Sequence, residues 1–188
     1  MKTIKKLINL LAGSVFLTVL PGCTGVPDGI ETVSGFELQR YLGTWYEIAR
    51  LDHSFERGLS QVTAEYSLRD DGGVRVINRG YNATAGEWDE AIGKAYFTGD
   101  SNVGRLKVSF FGPFYGGYNI IELDEVDYQF SLVAGPDRSY LWVLSRTPQM
   151  DAATLEKLVQ KAKALGFETD KLIMVDQSPR STAAPSSQ

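Results

Sequence analysis

Side chains able to do chemistry are scarce in this sequence of 188 residues, which contains one cysteine and one histidine. The cysteine, Cys23, lies in the stretch LPGCTG at residues 20–25, directly after a long apolar run. A single thiol excludes an internal disulfide, and one histidine leaves too few ligands for a typical zinc or haem site. Cys23 is therefore a nucleophile, half of an intermolecular disulfide, or an attachment point.

Enzymatic chemistry is not indicated by the rest of the chain. The sequence has no Gly-x-Ser-x-Gly, no His-Glu-x-x-His and no glycine loop of the kind that holds phosphate. The single histidine, His53, falls in a predicted surface loop, where a hydrogen-bonding role is expected rather than catalysis. We therefore predict a binding protein that is not an enzyme and uses no metal and no cofactor.

The N-terminus explains why one thiol is present. A basic start, MKTIKK, precedes the apolar run LINLLAGSVFLTVL, which is short for a spanning helix and typical of a signal peptide. Leu20-Pro21-Gly22-Cys23 resembles a bacterial lipobox, in which the chain is cut before the cysteine and the cysteine is acylated. In such lipoproteins an Asp directly after the cysteine tends to retain the protein in the inner membrane, and this chain has Thr24 at that position. We therefore predict a palmitate-type anchor at the periplasmic face of the outer membrane. The alternative is an ordinary secretory signal with a chance cysteine.

Composition indicates one globular domain that does not bind nucleic acid. The chain is 43% hydrophobic and 22% charged, with a formal net charge of −4. We divide it into a signal peptide at 1–22, a lipidated N-terminus and linker at 23–35, the folded domain at 36–177 and a disordered Ser/Pro-rich tail at 178–188.

The folded domain is predicted to be all-β. Short strand-like runs separated by turn signals occupy 44–51, 62–69, 74–81, 88–97, 105–111, 118–123, 128–134 and 140–146. Asp151 precedes an amphipathic helical stretch at 152–165, and a last short strand follows at 171–176. Eight consecutive antiparallel strands close most simply into an up-and-down β-barrel, because closure removes the exposed edges. The helix then packs outside the barrel.

Three motifs in order resemble the signature of the lipocalin family. They are Gly43-Thr44-Trp45 in the first strand, Val126-Asp127-Tyr128 between strands six and seven, and Leu144-Ser145-Arg146 at the end of strand eight. Longer stretches such as YLGTWYEIARLDHSFERGL are similar to the bacterial outer-membrane lipoproteins of that family and to its apolipoprotein D-like group. The resemblance implies a barrel closed at the Trp45 end and open at the other. It assigns a structural role to Gly43, Trp45, Asp127, Tyr128 and Arg146, with the guanidinium stacked on the indole.

Strand alternation from Trp45, with the register taken from the resemblance, predicts the wall of a ligand cavity. The predicted wall consists of Ala49, Ala64, Tyr66, Val76, Ala91, Gly93, Ala95, Phe97, Leu106, Val108, Phe110, Tyr118, Ile120, Phe130, Leu132, Tyr140 and Trp142. Ala91, Gly93 and Ala95 alternate on one strand, and such small residues leave space that larger side chains would fill. A fully packed interior is the alternative.

Two features of the predicted barrel stay open. Glu47 would point inward, where a lone carboxylate needs a hydrogen-bond partner, so a structural role is favoured over ligand contact. The predicted rim comprises the loops at 52–60, 82–87, 111–117 and 135–139. Aromatic residues recur in or beside these loops, namely Phe55, Trp88, Phe111, Phe114 and Tyr115. They would gate the cavity, touch membrane, form a dimer contact, or fold back on the mouth.

The leading interpretation is a membrane-anchored carrier of fatty acids or lysophospholipids, which stores or transports them for outer-membrane maintenance. A carrier of another hydrophobic ligand, such as haem held by an exposed His53 or an isoprenoid, is the alternative. A ligand-free structural lipoprotein is a third hypothesis. The resemblance also allows a homodimer.

Overall fold

A computed structural model describes residues 24–179, and the predicted signal peptide, Cys23 and most of the predicted tail lie outside that range. The strands are β1 (Gly43–Arg50), β2 (Leu59–Leu68), β3 (Val74–Asn82), β4 (Glu87–Phe97), β5 (Arg105–Ser109), β6 (Gly116–Leu123), β7 (Phe130–Ala134), β8 (Leu141–Ser145) and β9 (Ile173–Met174). The helices are α1 (Leu38–Tyr41), α2 (Ala152–Ala164) and a 3₁₀ turn at Thr169–Lys171. Neither α-helix in the described part of the chain is long and apolar enough to cross a membrane.

Strands β1 to β8 form a closed antiparallel barrel. Each strand pairs with its sequence neighbour from β2 through β8, and β1 pairs with both β2 and β8. The turn from β2 to β3 illustrates the local cause: Gly72 has a φ of 79°, and the Asp71 carboxylate accepts a hydrogen bond from the Gly73 N–H at 3.1 Å. The predicted fold class, an eight-stranded up-and-down barrel with one helix after it, is confirmed.

The barrel has two different ends. The connections at 69–73, 98–104 and 124–129 lie at one end with the start of β1, and those at 51–58, 83–86, 110–115 and 135–140 lie at the other. The helix α1, which was not predicted, crosses the first end, where Tyr41 and Phe36 are buried with their ring centroids 5.3 Å apart. We refer to these as the closed end and the open end.

Apolar side chains are buried on both faces of part of the barrel wall. One cluster lies inside and includes Trp45, Tyr66 and Val76. The second lies outside, beneath α2, where Leu158 and Ala162 are fully buried. The helix begins as predicted, because the Asp151 side chain accepts a hydrogen bond from the Thr154 N–H at 2.9 Å. It ends one residue before the predicted bound.

Residues 24–36, most of which were expected to form a linker, lie along the barrel wall. The Val33 N–H donates to the Ile120 carbonyl at 2.9 Å, and the Val33 carbonyl accepts from the Gly104 N–H at 2.9 Å. Ile30 is buried in the outer cluster. This segment thus covers wall that would otherwise expose apolar surface.

Candidate functional site

A cavity of about 760 Å³ occupies the barrel interior and reaches the open end. This volume lies within the range of about 300–1,000 Å³ that is usual for small-molecule sites. Most of the predicted wall residues line it: Ala64, Tyr66, Val76, Ala91, Ala95, Leu106, Val108, Phe110, Tyr118, Tyr140 and Trp142. Leu144, Val74 and Tyr41 complete its lower part.

Three other predicted residues face inward without lining the cavity. Phe97 and Ile120 belong to the interior cluster, and the Phe97 ring lies 6.1 Å from that of Phe36 near the closed end. A Cβ atom on Gly93 would lie 2.8 Å from the Phe110 ring, so this glycine allows a close approach rather than adding open space.

The predicted orientation of Ala49, Phe130 and Leu132 was wrong. All three pack in the outer cluster under α2 and contribute nothing to the cavity. For Ala49 the cause is a register shift between Glu47 and Ala49 in the pairing with β8, which reverses the alternation of β1. On β7, the inward residues are Ser131, which bonds Tyr41, and Val133.

Tyrosine hydroxyls form a hydrogen-bonded chain in the lower cavity. The Tyr118 hydroxyl lies 2.8 Å from that of Tyr41 and 2.9 Å from that of Tyr66, and Tyr41 donates to Ser131 Oγ at 3.3 Å. Burial raises the pKa of Tyr41 to about 12 and raises the pKa values of Tyr66 and Tyr118 as well. The hydroxyls therefore stay neutral and hydrogen-bond to one another. The tyrosine rings then present an apolar surface to the lower cavity.

The closed end is held by the predicted pairing of Trp45 and Arg146. Trp45 is fully buried, its Nε1 donates to the Tyr41 carbonyl at 2.8 Å, and the Arg146 guanidinium lies 4.0 Å above its ring. Arg146 also donates to the carbonyls of Thr44 and Tyr128. Gly43 has a φ of 92°, a backbone conformation that residues with a side chain rarely adopt.

The middle motif forms the turn that the closed end needs. Tyr128 is buried with a φ of 55°, and its hydroxyl accepts a hydrogen bond from the Glu37 N–H at 3.0 Å. Asp127 is exposed, and its carbonyl accepts from Gln129 Nε2 at 2.8 Å. The Asp124 carboxylate, rather than that of Asp127, caps the turn by accepting from the Gln129 N–H.

A buried charged cluster lies between the cavity and the connection from β1 to β2. Arg50 Nη1 lies 2.6 Å from Glu47 Oε1, and Nη2 donates to the Glu56 carbonyl at 2.8 Å. The Glu56 carboxylate accepts from Trp142 Nε1 at 3.1 Å and lies 3.0 Å from His53 Nε2. The register shift that moves Ala49 outward is what brings Arg50 inward, and this partner for Glu47 was not found from the sequence.

Protonation in this cluster follows from burial. Burial, and next the neighbouring Glu56 carboxylate, raises the pKa of Glu47 well above its usual range, and Arg50 offsets only part of this. Burial alone would also raise the pKa of Glu56, but contacts with His53, Trp142 and Arg50 lower it below its usual range. His53 is 5% exposed and its ring stacks on Phe55 at 4.0 Å, so it is not the exposed loop histidine that was expected.

Two polar atoms of the cavity wall have no hydrogen-bond partner within the protein. They are Asn78 Oδ1 on β3 and Ser109 Oγ at the end of β5. Both atoms are buried in the barrel wall. No group of three or more His, Cys, Asp or Glu side chains within residues 24–179 is arranged to hold a metal ion.

A closed barrel with a largely apolar cavity open at one end defines a protein that binds hydrophobic small molecules. A family model described as a lipocalin-like domain matches residues 36–177. The chain belongs to the lipocalin family, whose members bind and transport ligands, as the motifs predicted.

Similar proteins agree with this assignment. The chain is 58% identical over 159 residues to an outer membrane lipoprotein Blc of Vibrio cholerae, covering 85% of this chain and 93% of the relative. It is 53% identical to the Escherichia coli K12 protein of the same name, covering 92% and 98%. The solved structure of insecticyanin from the tobacco hornworm superposes with a TM-score of 0.66 at 20% identity, covering 82% of this chain and 88% of that one, and supports the fold. Like these lipoproteins, the chain is lipid-anchored at the outer membrane.

Proposed function

We propose that the protein binds fatty acids or lysophospholipids in the barrel and stores or transports them at the outer membrane. The observation that carries this proposal is the cavity of about 760 Å³ with its aliphatic and aromatic wall. The open interior also argues against a ligand-free structural lipoprotein. The chain acts as a carrier rather than an enzyme, and Cys23 bears the acyl groups of its anchor.

The acyl tail supplies the binding energy. Burying a sixteen-carbon chain gains on the order of 12 kcal/mol at about 0.8 kcal/mol per CH₂ group. Association and ordering cost about 4–15 kcal/mol. At the lowest of these costs about 8 kcal/mol remains, which corresponds to micromolar affinity. The lower cavity is lined by Tyr41, Tyr66 and Val76 and its hydroxyls are already paired, so the tail enters first.

The polar part of the ligand remains near the open end. Arg50 is engaged by Glu47 and by backbone carbonyls, so it offers no free cation to a carboxylate deep in the barrel. Asn78 and Ser109 also lie among the lining residues, above the tyrosines, so the upper wall is more polar than the lower part of the cavity.

The proposal is tested by native mass spectrometry of the full mature protein, followed by titration with a fluorescent fatty acid. Co-purified fatty acid or lysophospholipid, displaced by the fluorescent probe, is the expected result. An empty protein that fails to bind either lipid class contradicts the proposal. An isoprenoid in the spectrum favours the alternative carrier. The burial of His53 beside Glu56 counts against haem, and absence of a Soret band after haem addition is expected.

A further inference from the structure

The N-terminal segment begins at the open end of the barrel. The Gly25 carbonyl accepts a hydrogen bond from Asn119 Nδ2 at 2.9 Å, and Asn119 also donates to the Gly135 carbonyl in the connection from β7 to β8. The Gly25 oxygen would lie 2.6 Å from a Cβ atom on Gly117, just after the connection from β5 to β6. From there the chain runs down the wall to Phe36 at the closed end.

A second contact fixes the same placement. Arg138, in the connection from β7 to β8, donates through Nη2 to the Asp28 carbonyl at 2.7 Å and through Nε to the Leu165 carbonyl at 2.7 Å. Cys23 is two residues before Gly25, and consecutive Cα atoms are about 3.8 Å apart. An acyl group on Cys23 therefore attaches within about 8 Å of a residue bound at the open end.

The exposed aromatic side chains lie at this same end. Phe111 is 81% exposed, Phe114 79%, Phe55 57% and Trp88 56%. The three phenylalanines come from two connections at the mouth, and Trp88 lies near the start of β4 at the same end. Within the described chain these are the only Phe or Trp side chains with large exposure. Phe55, Phe111 and Phe114 also line the cavity, so the ring of apolar surface is continuous with the ligand path.

Three cations near the mouth are engaged within the protein. Arg57 is paired with Asp52 at 2.7 Å, and Lys107 lies over the Tyr115 ring at 5.0 Å. Arg138 is engaged by backbone carbonyls. An aromatic rim with its cations already engaged fits the interfacial region of a phospholipid bilayer, where aromatic rings are favoured.

We infer that the anchored protein docks with its open end on the phospholipid surface, so that Phe111, Phe114, Phe55 and Trp88 enter the interface and the cavity opens toward the lipids. The anchor and the rim act together, because two weak membrane contacts on one rigid body reinforce each other. The inference goes beyond lipid binding in the barrel and rests on the acylation of Cys23 in the proposed function.

Spin-label depth measurements on the acylated protein test this orientation. The acylated Cys23 has no free thiol, so one added cysteine is the only labelling site. Ala85→Cys places the label in the turn from β3 to β4 at the open end, and Ser101→Cys places it in the turn from β4 to β5 at the closed end. The protein is transferred from micelles to vesicles of phosphatidylethanolamine and phosphatidylglycerol, and label accessibility to oxygen and to a water-soluble nickel complex is compared.

We expect the Ala85 label to gain oxygen accessibility and lose nickel accessibility on vesicles, while the Ser101 label stays aqueous. Adding Phe111→Ser and Phe114→Ser should abolish this difference. Val126→Ser, which removes an apolar side chain 76% exposed at the closed end, should leave it unchanged.

Each other outcome overturns the inference in a recognisable way. Both labels aqueous, with Cys23 acylated by mass spectrometry, means that the tether holds the barrel away from the surface. A buried Ser101 label means the opposite orientation. An unmodified Cys23 means that the anchor on which the inference rests is absent. Fatty-acid titration of the same samples reports lipid binding separately, so failure of docking is distinguished from failure of the proposed function.

Discussion

Replacing Ala95 by Trp should block the cavity in its lower half. Ala95 is 4% exposed, lines the cavity, and lies on β4 between Val74 of β3 and Val108 of β5. An indole at this position points into the space that an acyl tail would occupy. Displacing two to four buried CH₂ groups costs about 1.6–3.2 kcal/mol, which weakens binding roughly 15- to 200-fold.

The assay is a fluorescent fatty-acid titration with a thermal melt of each variant. Ile92→Trp is the matched control, because Ile92 lies on the same strand and is 52% exposed outside the cavity lining. The loss of affinity for Ala95→Trp should grow with acyl chain length, since a short chain does not reach the blocked section. Ile92→Trp should bind every chain length as the unmodified protein does.

Two results would refute this reasoning. Unchanged affinity for long chains in a folded Ala95→Trp variant means that the tail lies elsewhere. A large loss of thermal stability together with unchanged ligand binding means that no open space surrounds Ala95, since a ring that enters an existing void causes little overpacking.

The remaining predictions concern stability and anchoring. Trp45→Ala should lower the free energy of unfolding by about 3–5 kcal/mol, or roughly 10 °C in Tm, and Arg146→Ala by less; either variant melting normally while losing ligand would make these binding residues. Because the pKa of Glu47 is raised in the folded state, that state keeps a proton which the unfolded chain loses above about pH 4.3. Stability carried by this group therefore falls as pH rises above that value, and the stability of Glu47→Gln relative to wild type should increase over the same rise in pH in urea titrations; a constant difference would contradict the raised pKa. Cys23→Ala should no longer incorporate radioactive palmitate, and unchanged labelling would exclude it as the acylated residue.

The order of strands was predictable because turn chemistry is local. Asp71-Gly72-Gly73 favours a hairpin by itself, because the Asp71 carboxylate bonds the nearby Gly73 N–H and Gly72 readily adopts a positive φ. The closed end was predictable for a different reason. Trp45 and Arg146 lie at opposite ends of the barrel sequence, and the order of the motifs, rather than any single one, placed them together.

The direction of individual side chains was less predictable where a strand is irregular. Alternation holds from Trp45 to Glu47 and fails at Ala49, because the shift in pairing with β8 depends on a strand almost a hundred residues away. The same shift occurs in β6 between Ile120 and Glu122, opposite β7. No signal within either strand marks such a position.

The alternation of strand β7 predicted the wrong inward face because both faces of the wall are buried there. Phe130 and Leu132 alternate as an apolar face should, but that face packs under α2. The inward face carries Ser131, which is acceptable inside the barrel because its hydroxyl bonds Tyr41. Hydrophobic alternation identifies a buried face, and it identifies the cavity face only where the other side meets water.

The charged cluster shows how one irregularity serves the whole site. A carboxylate at Glu47 alone would make the upper cavity polar and unpaired, at considerable cost. The shifted register instead turns Arg50 inward, where it bonds Glu47 and the Glu56 carbonyl. Glu56 in turn accepts a hydrogen bond from Trp142 on the neighbouring strand β8, so the connection from β1 to β2 is fastened to the wall beside it. The polar groups of Arg50, Glu47 and Glu56 thus bond one another and hold this connection in place. The cavity beneath it is lined by aromatic and aliphatic side chains, which fit an acyl tail.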